Sequence, residues 1–225
     1  MKRFFFVLII LPIFFCSCVS TSKTFGLSQN TSFSDVRVVV DDFTGQKTYE
    51  YLSRAYAYDG YPTSGLSADG LRIIPHVLVS ETGVGTFSLK ISYTGIHDGL
   101  ISTGADKSYQ KLIFLKDETR LILNLSKPTV PSLDSSHYGS RGYNSHSYNS
   151  EGVYYITEEQ YKMIMTFFEN SKKMQCAMYS TDNTAVKLAG KTYPSVISRI
   201  YECAKTSNPD ILYNQLSSDI TIELK

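Results

Sequence analysis

The feature that most restricts what this chain can fold into is alternation of apolar and polar residues with a period of two. Successive side chains on a strand point to opposite faces, so such a run has one face that must find a core. Thr86 to Tyr93 is the cleanest case, with Phe87, Leu89, Ile91 and Tyr93 on one side. Tyr109 to Leu125 reads as a hairpin: Lys111 to Leu115 runs out, Lys116 to Thr119 supplies polar turn residues, and Arg120 to Leu125 runs back. Leu121, Leu123 and Leu125 then point one way, and Arg120, Ile122 and Asn124 the other. Val36 to Val40 is β-branched and ends at Asp41-Asp42, with Gly45 soon after, which predicts a strand and a turn. Thr48 to Tyr58 reads as a second strand, and Asp59 to Gly70 as turn-rich chain holding Pro62 and three glycines. Leu71 to Ser80 reads as a third strand, and Pro75 inside it predicts an edge or a bulge because proline cannot donate to a ladder.

Helical periodicity begins after residue 156. Thr157 with Gln160 three residues later forms a capping-box pattern, and Glu158 and Glu159 suit the first turn. Tyr161, Ile164, Met165 and Phe168 make one apolar stripe. Met174, Cys176 and Met178 alternate as in a strand. Pro194 then suits the first turn of a second helix, with Val196, Ile197, Ile200, Cys203 and Ala204 along one face. Gly190 and Lys191 read as the turn before it, and Asp219 to Leu224 as a short last strand or a frayed tail. The expected class is α+β: an antiparallel sheet of about six to eight strands, with two helices of the C-terminal half on one face. A β-sandwich with appended helices is the alternative.

The first residues say more about location than about shape. Met1-Lys2-Arg3 is a basic start, Phe4 to Phe15 is apolar apart from Pro12, and Cys16-Ser17-Cys18-Val19-Ser20 follows. A basic, then apolar, then small-residue order is that of an export signal. The apolar run is shorter than the ~20 residues a membrane span needs. The stretch Phe15-Cys16-Ser17-Cys18 resembles the processing motif of bacterial lipoproteins. That resemblance implies cleavage before Cys18 and a diacylglycerol on its sulfur, and two or three acyl chains anchor stably where one does not. An ordinary secreted protein cut nearby, or an uncleaved anchor, is the other reading of these residues. Residues 1–17 are then a signal peptide, 18–34 a lipidated cysteine with a polar tether, and 35–225 one domain. A flexible tether of that length reaches roughly 20–25 Å. The location expected is the bacterial cell envelope, membrane-anchored by lipid, with the domain in the periplasm or at the cell surface. The expected partners are the membrane, through the anchor, and an envelope protein.

Charge excludes one class of partner. The chain carries 22 basic and 21 acidic residues, a formal net charge of +1. Removal of residues 1–17 takes away Lys2 and Arg3 and leaves 20 against 21. Nothing in that balance recommends nucleic acid.

The four cysteines divide into two at the processing site and two in the body, Cys176 and Cys203. A bond between the latter would close 26 intervening residues and add about 3.5 kcal/mol on the chain-entropy account. Two buried thiols are the alternative.

Lys127 to Gly152 is rich in serine and reads as a long irregular loop. Tyr138, Tyr143 and Tyr148 recur in it at five-residue spacing. Tyrosine among serine, glycine and asparagine suits an adaptable contact surface, which makes these three the candidate contact residues. The spacing matches neither a strand nor a helix period.

Catalytic and metal patterns are scarce. His137 and His146 are too far apart in sequence for a common metal pair, and His97-Asp98 sits between Gly95 and Gly99 in a stretch that reads as a turn. His76 lies alone in a strand. Asp41 and Asp42 are adjacent and point apart on a strand, which suits them poorly for paired acid-base work. There is no Gly-x-Ser-x-Gly elbow, and Gly83-Val84-Gly85 is an incomplete dinucleotide fingerprint without a following helix. No catalytic residue, metal site or cofactor is assigned. The expectation is a non-catalytic, lipid-anchored envelope protein that binds another envelope component or supports an assembly. Its rivals are an exported hydrolase using His97 and Asp98, and a small-ligand carrier with an apolar cavity.

Overall fold

Strand alternation translates directly into burial. In the computed structural model, which describes residues 35–51, 55–63, 70–98, 102–138, 144–169, 173–214 and 218–225, every second residue from Leu71 to Val79 is buried. Phe87, Leu89, Ile91 and Tyr93 are all at most 1% exposed. The elements in order are β1 (Val36–Val40), β2 (Lys47–Tyr51), β3 (Tyr58–Pro62), β4 (Leu71–Val79), β5 (Val84–Asp98), β6 (Tyr109–Lys116), β7 (Thr119–Leu125), β8 (Val130–Tyr138), β9 (Asn144–Ile156), α1 (Glu158–Phe168), β10 (Met174–Ser180), β11 (Ala185–Thr192), α2 (Pro194–Ser207), β12 (Leu212–Tyr213) and β13 (Ile220–Leu224). The described residues are mostly strands, in a mostly antiparallel sheet with two helices.

The sheet has 13 strands rather than six to eight. Its main path runs β13-β7-β6-β10-β11-β3-β4-β5-β9-β8; β2 pairs with β4 and β1, and β12 lies parallel to β5. The two ends of the path approach one another. The Asp219 amide, just before β13, donates to the Tyr155 carbonyl of β9 at 2.8 Å, and the Ser126 amide donates to the Asp219 carbonyl at 2.7 Å. The sheet therefore curls, and its inner face holds the core.

Pro75 is in neither an edge strand nor a bulge. It pairs with Leu89 inside a continuous β4–β5 ladder. On its other side β3 covers β4 only as far as Ile73, and β2 begins at Val77, so the proline falls in the gap between two neighbours. The stretch read as one strand from Thr48 to Tyr58 is two, β2 and β3. The Asp59–Gly70 stretch begins as β3 because Gly60 and Gly190 leave room for the inward Tyr58 ring. A Cβ on Gly190 would come within 2.8 Å of that ring, and one on Gly60 would fall on its hydroxyl.

Segment 127–152 is largely β8 and β9 and not an irregular loop. β9 pairs with β5 from Phe87↔Ile156 to Asp98↔Ser145, and β8 pairs with the outer part of β9. The alternation here is polar against polar, so an apolar count misses it. The neighbouring strand β5 supplies the partner that the composition does not advertise. Ser150, wholly buried, bonds Thr129 Oγ1 at 2.6 Å and the Lys107 carbonyl at 2.7 Å, which satisfies the polar groups at this crossing.

Both helices pack on the inner face. The α1 capping box is formed: Gln160 N donates to Thr157 Oγ1 at 3.2 Å, and Thr157 N to Gln160 Oε1 at 3.1 Å. Lys116, at the end of β6, donates to the Phe167 and Glu169 carbonyls and closes the other end of α1. Phe168 packs edge-on against Phe114 (5.4 Å between centroids) beside Tyr58. Phe87 stacks near Tyr161 at 4.2 Å and Tyr213 at 4.5 Å. The Tyr161 hydroxyl donates to the Ile197 carbonyl of α2 at 3.0 Å. The α2 stripe Val196, Ile197, Ile200, Cys203 and Ala204 is buried as its spacing predicts. Among the described residues no helix is long and apolar enough to cross a membrane.

Candidate functional site

Residues that face away from the core divide the outer side of the sheet into two halves of different electrostatic character. Over β1, β2, β4, β5 and β9 the charges are matched. Arg37 meets Glu50 at 2.6 Å, Glu50 also meets His76 at 3.7 Å, Lys90 meets Glu151 at 2.6 Å, and Arg72 reaches Asp59 of β3 at 3.7 Å. Over β7, β6, β10 and β11, which are neighbours in the sheet, the outward charges are Arg120, Lys111, Lys187 and Lys191. These four strands contain no acidic residue. None of the four cations forms an ion pair with a described residue. Of the acids at the borders, Glu223 of β13 pairs with Lys225 at 3.0 Å and interacts electrostatically with Lys111. Asp59, opposite Lys191, holds Arg72 and the Tyr61 hydroxyl, and Asp117 and Glu118 lie in the turn between β6 and β7.

A groove of about 640 Å³ crosses this cationic half. Ile113, Leu115 and Ala177 give it an apolar floor and side, Tyr179 adds a ring, and Arg120 and Lys187 bring charge. At Thr63 and Lys187 it joins a second cleft of about 500 Å³, lined by Ser102, Thr103, Thr184 and Lys107. Lys107 is already committed to Asp182 at 2.9 Å and Thr184 Oγ1 at 2.8 Å. Hydrogen bonds from Ser180, Lys107 and Thr184 hold the Asp182 carboxyl well below the usual carboxylate range. Among the described residues Lys187 has no ion-pair partner where groove and cleft meet. Both volumes fall within the ~300–1,000 Å³ of small-molecule sites.

No known protein family, curated protein or solved structure matches this chain.

The residues singled out from sequence fare differently. Cys18 and Tyr143 lie outside the described residues, as do the signal-peptide and tether segments, 1–17 and 18–34. Tyr138 ends β8, opposite Asn144. Tyr148 is in β9, half-buried against the core, with its ring 6.3 Å from that of His146 in a T-shaped arrangement. His97 and Asp98 continue β5, opposite His146 and Ser145, and do not form a turn. His137 is opposite Ser145 on β8.

Cys176 and Cys203 are free and buried, not bridged. Cys176 belongs to β10 beside β6, with Tyr58 and Ile113 around it, whereas Cys203 is on α2 in the neighbourhood of Tyr49 and Asp35. Burial pushes the Cys203 thiol up to about 11 and Cys176 well above its ordinary value, so neither is poised for exchange chemistry. Among the described residues, no three His, Cys, Asp or Glu side chains converge to hold a metal ion.

The cationic face was not singled out from sequence. Lys111, Arg120, Lys187 and Lys191 come from separate parts of the chain and carry no motif. Only the strand order β7-β6-β10-β11 makes them one surface. The weak signal available was the absence of acid from four runs that read, or could have read, as strands.

Proposed function

We propose that this chain is a lipid-anchored, non-catalytic cell-envelope protein that binds another envelope component through the cationic outer face of β7, β6, β10 and β11. The observation that carries the anchoring is the order Met1-Lys2-Arg3, apolar Phe4 to Phe15, then Cys16-Ser17-Cys18. The resemblance to lipoproteins assigns the lipid to the Cys18 sulfur. The binding half of the reading is supported by the contrast between ion-paired charge on one half of the outer face and, on the other, cations that form no ion pair with a described residue. Exposed cations remain hydrated when unpaired, and together they attract anions over a Debye length of roughly 8 Å at physiological salt.

Replacing Cys18 with Ser tests the anchor. The variant moves from the membrane to the soluble fraction, and the acyl mass increment at residue 18 disappears. Unchanged membrane retention together with the lack of any acyl mass on the parent chain overturns it.

A further inference from the structure

We infer that the ligand of the cationic face is a linear acidic polysaccharide, lying along the groove over β6, β10 and β11 and into the hydroxyl-lined cleft that continues it. The inference rests on the binding half of the function proposed above and names its partner class.

Three observations select this chemistry. First, the surface is the middle of a sheet. β6 is bonded to β7 and β10, and β11 to β10 and β3, so no free strand edge is offered to the backbone of an acidic peptide. Recognition must come from side chains. Secondly, Ile113 and Ala177 line a groove beneath exposed Arg120 and Lys187. A flat anionic bilayer would meet the rim and leave the floor unused, whereas a chain one sugar wide can settle into it. Thirdly, the polar groups change character along the path. The groove offers Arg120, Lys187 and the Tyr179 ring over an apolar floor, whereas the cleft hydroxyls of Thr63, Ser102, Thr103 and Thr184 donate within the fold and present oxygens that can accept from sugar hydroxyls. A sugar ring has an apolar C–H face for the first surface and hydroxyls for the second. Carboxylates carried on the sugar units would find Arg120 and Lys187, with Lys111 and Lys191 at the flanks.

The test uses the full-length chain purified in detergent and three probes of one sign. These are polygalacturonic acid, poly-glutamate, and vesicles rich in phosphatidylglycerol, each titrated at low and high salt. Polygalacturonic acid is expected to bind most tightly and to weaken as salt rises. The double variant Arg120→Gln, Lys187→Gln is expected to lose at least about fivefold in affinity. Ala177→Glu, which puts a carboxylate on the outward floor, should abolish binding while circular dichroism stays native. Lys90→Gln, on the matched half, should bind as the parent does.

Equal or tighter binding of poly-glutamate or vesicles overturns the polysaccharide assignment. So does failure of polygalacturonic acid to bind at low salt, or indifference of its affinity to the double variant and to Ala177→Glu. Because no step depends on attachment to a membrane, a failed Cys18→Ser experiment leaves this result unaffected. Cross-linking in intact cells reads the wider binding role separately: an envelope partner captured through the cationic face, with polygalacturonic acid inert, would defeat the ligand class and spare that role.

Discussion

His76 lies in β4 beside Glu50, 3.7 Å away, and opposite Ser88 of β5, with 19% of its side chain in water. Burial lowers its pKa from the ordinary 6.5; the Glu50 carboxylate opposes that shift, and Lys90 adds to it. The sign of the resulting pH dependence follows from proton counting. The folded form binds its proton less readily than the unfolded one, so unfolding takes up a proton as the solution is acidified. This contribution to stability is fully present above about 6.5, the unfolded value, and is lost as pH falls through the lower folded value. Thermal melting of the parent chain between neutral pH and mild acid should therefore shift downward more steeply than that of His76→Gln. Equal slopes for the two chains would mean that another group carries the acid sensitivity. The same residue-scale physics sets the two body thiols apart from processing chemistry: burial makes Cys176 and Cys203 inert core groups, small and apolar in effect.

At the scale of elements, α1 and α2 were legible because each reports its burial at helical spacing and carries a start signal, a capping box for α1 and Pro194 in the first turn for α2. Thr157 is the sharpest example, since its hydroxyl and the Gln160 side chain satisfy two amides that the helix itself leaves unpaired. Thr157→Ala should lower stability by about 1 kcal/mol. Denaturant titration should show a reduced midpoint with an unchanged slope, and Thr157→Ser should restore most of the loss. An alanine variant as stable as the parent would show that packing of Tyr161 and Phe168 alone sets the helix start. The strands β5, β6, β7 and β10 were legible for a parallel reason, an apolar face at period two. β8, β9 and β11 were not. β11 reads Ala-Val-Lys-Leu-Ala-Gly-Lys-Thr, poor in β-formers, and is held by ladders to β10 and β3 on either side. β9 spends its inward positions on His146, Tyr148, Ser150 and Gly152 before reaching Tyr154 and Ile156. In such strands the neighbour decides the conformation, and the neighbour is remote in sequence. The candidate site shares that origin, because a surface drawn from Lys111, Arg120, Lys187 and Lys191 exists only after β10 has paired with β6.

At the scale of the whole molecule, the curl of the sheet depends on a few polar contacts where its two ends meet. The aromatic groups of the core lie on the inner face, so they favour any arrangement that keeps that face covered. They do not by themselves say where the ends should join. Asp219 does. Its main chain bonds Tyr155 of β9 on one side and Ser126, after β7, on the other. Its side chain adds bonds from Ser126 Oγ at 3.2 Å and from the Tyr155 amide at 3.3 Å. Thus β13 is laid down between two strands that are far apart in the path, and Gln160 reinforces it by donating to the Ile220 carbonyl at 2.8 Å. Asp219→Ala removes the two side-chain bonds and leaves the main-chain pair, which predicts a loss of about 1–2 kcal/mol. The change should be local before it is global. Hydrogen exchange should quicken at Tyr155, Ser126 and the β13 amides, while the Phe87 to Tyr93 amides, in the middle of the β4–β5 ladder, keep their protection relative to global stability. Uniform acceleration over all strands would show instead that the seam and the core open as one unit. The cationic face lies on β7, β6, β10 and β11, and β13 borders β7. Local opening of this seam should therefore loosen the β7 side of that face first, and Arg120 with it.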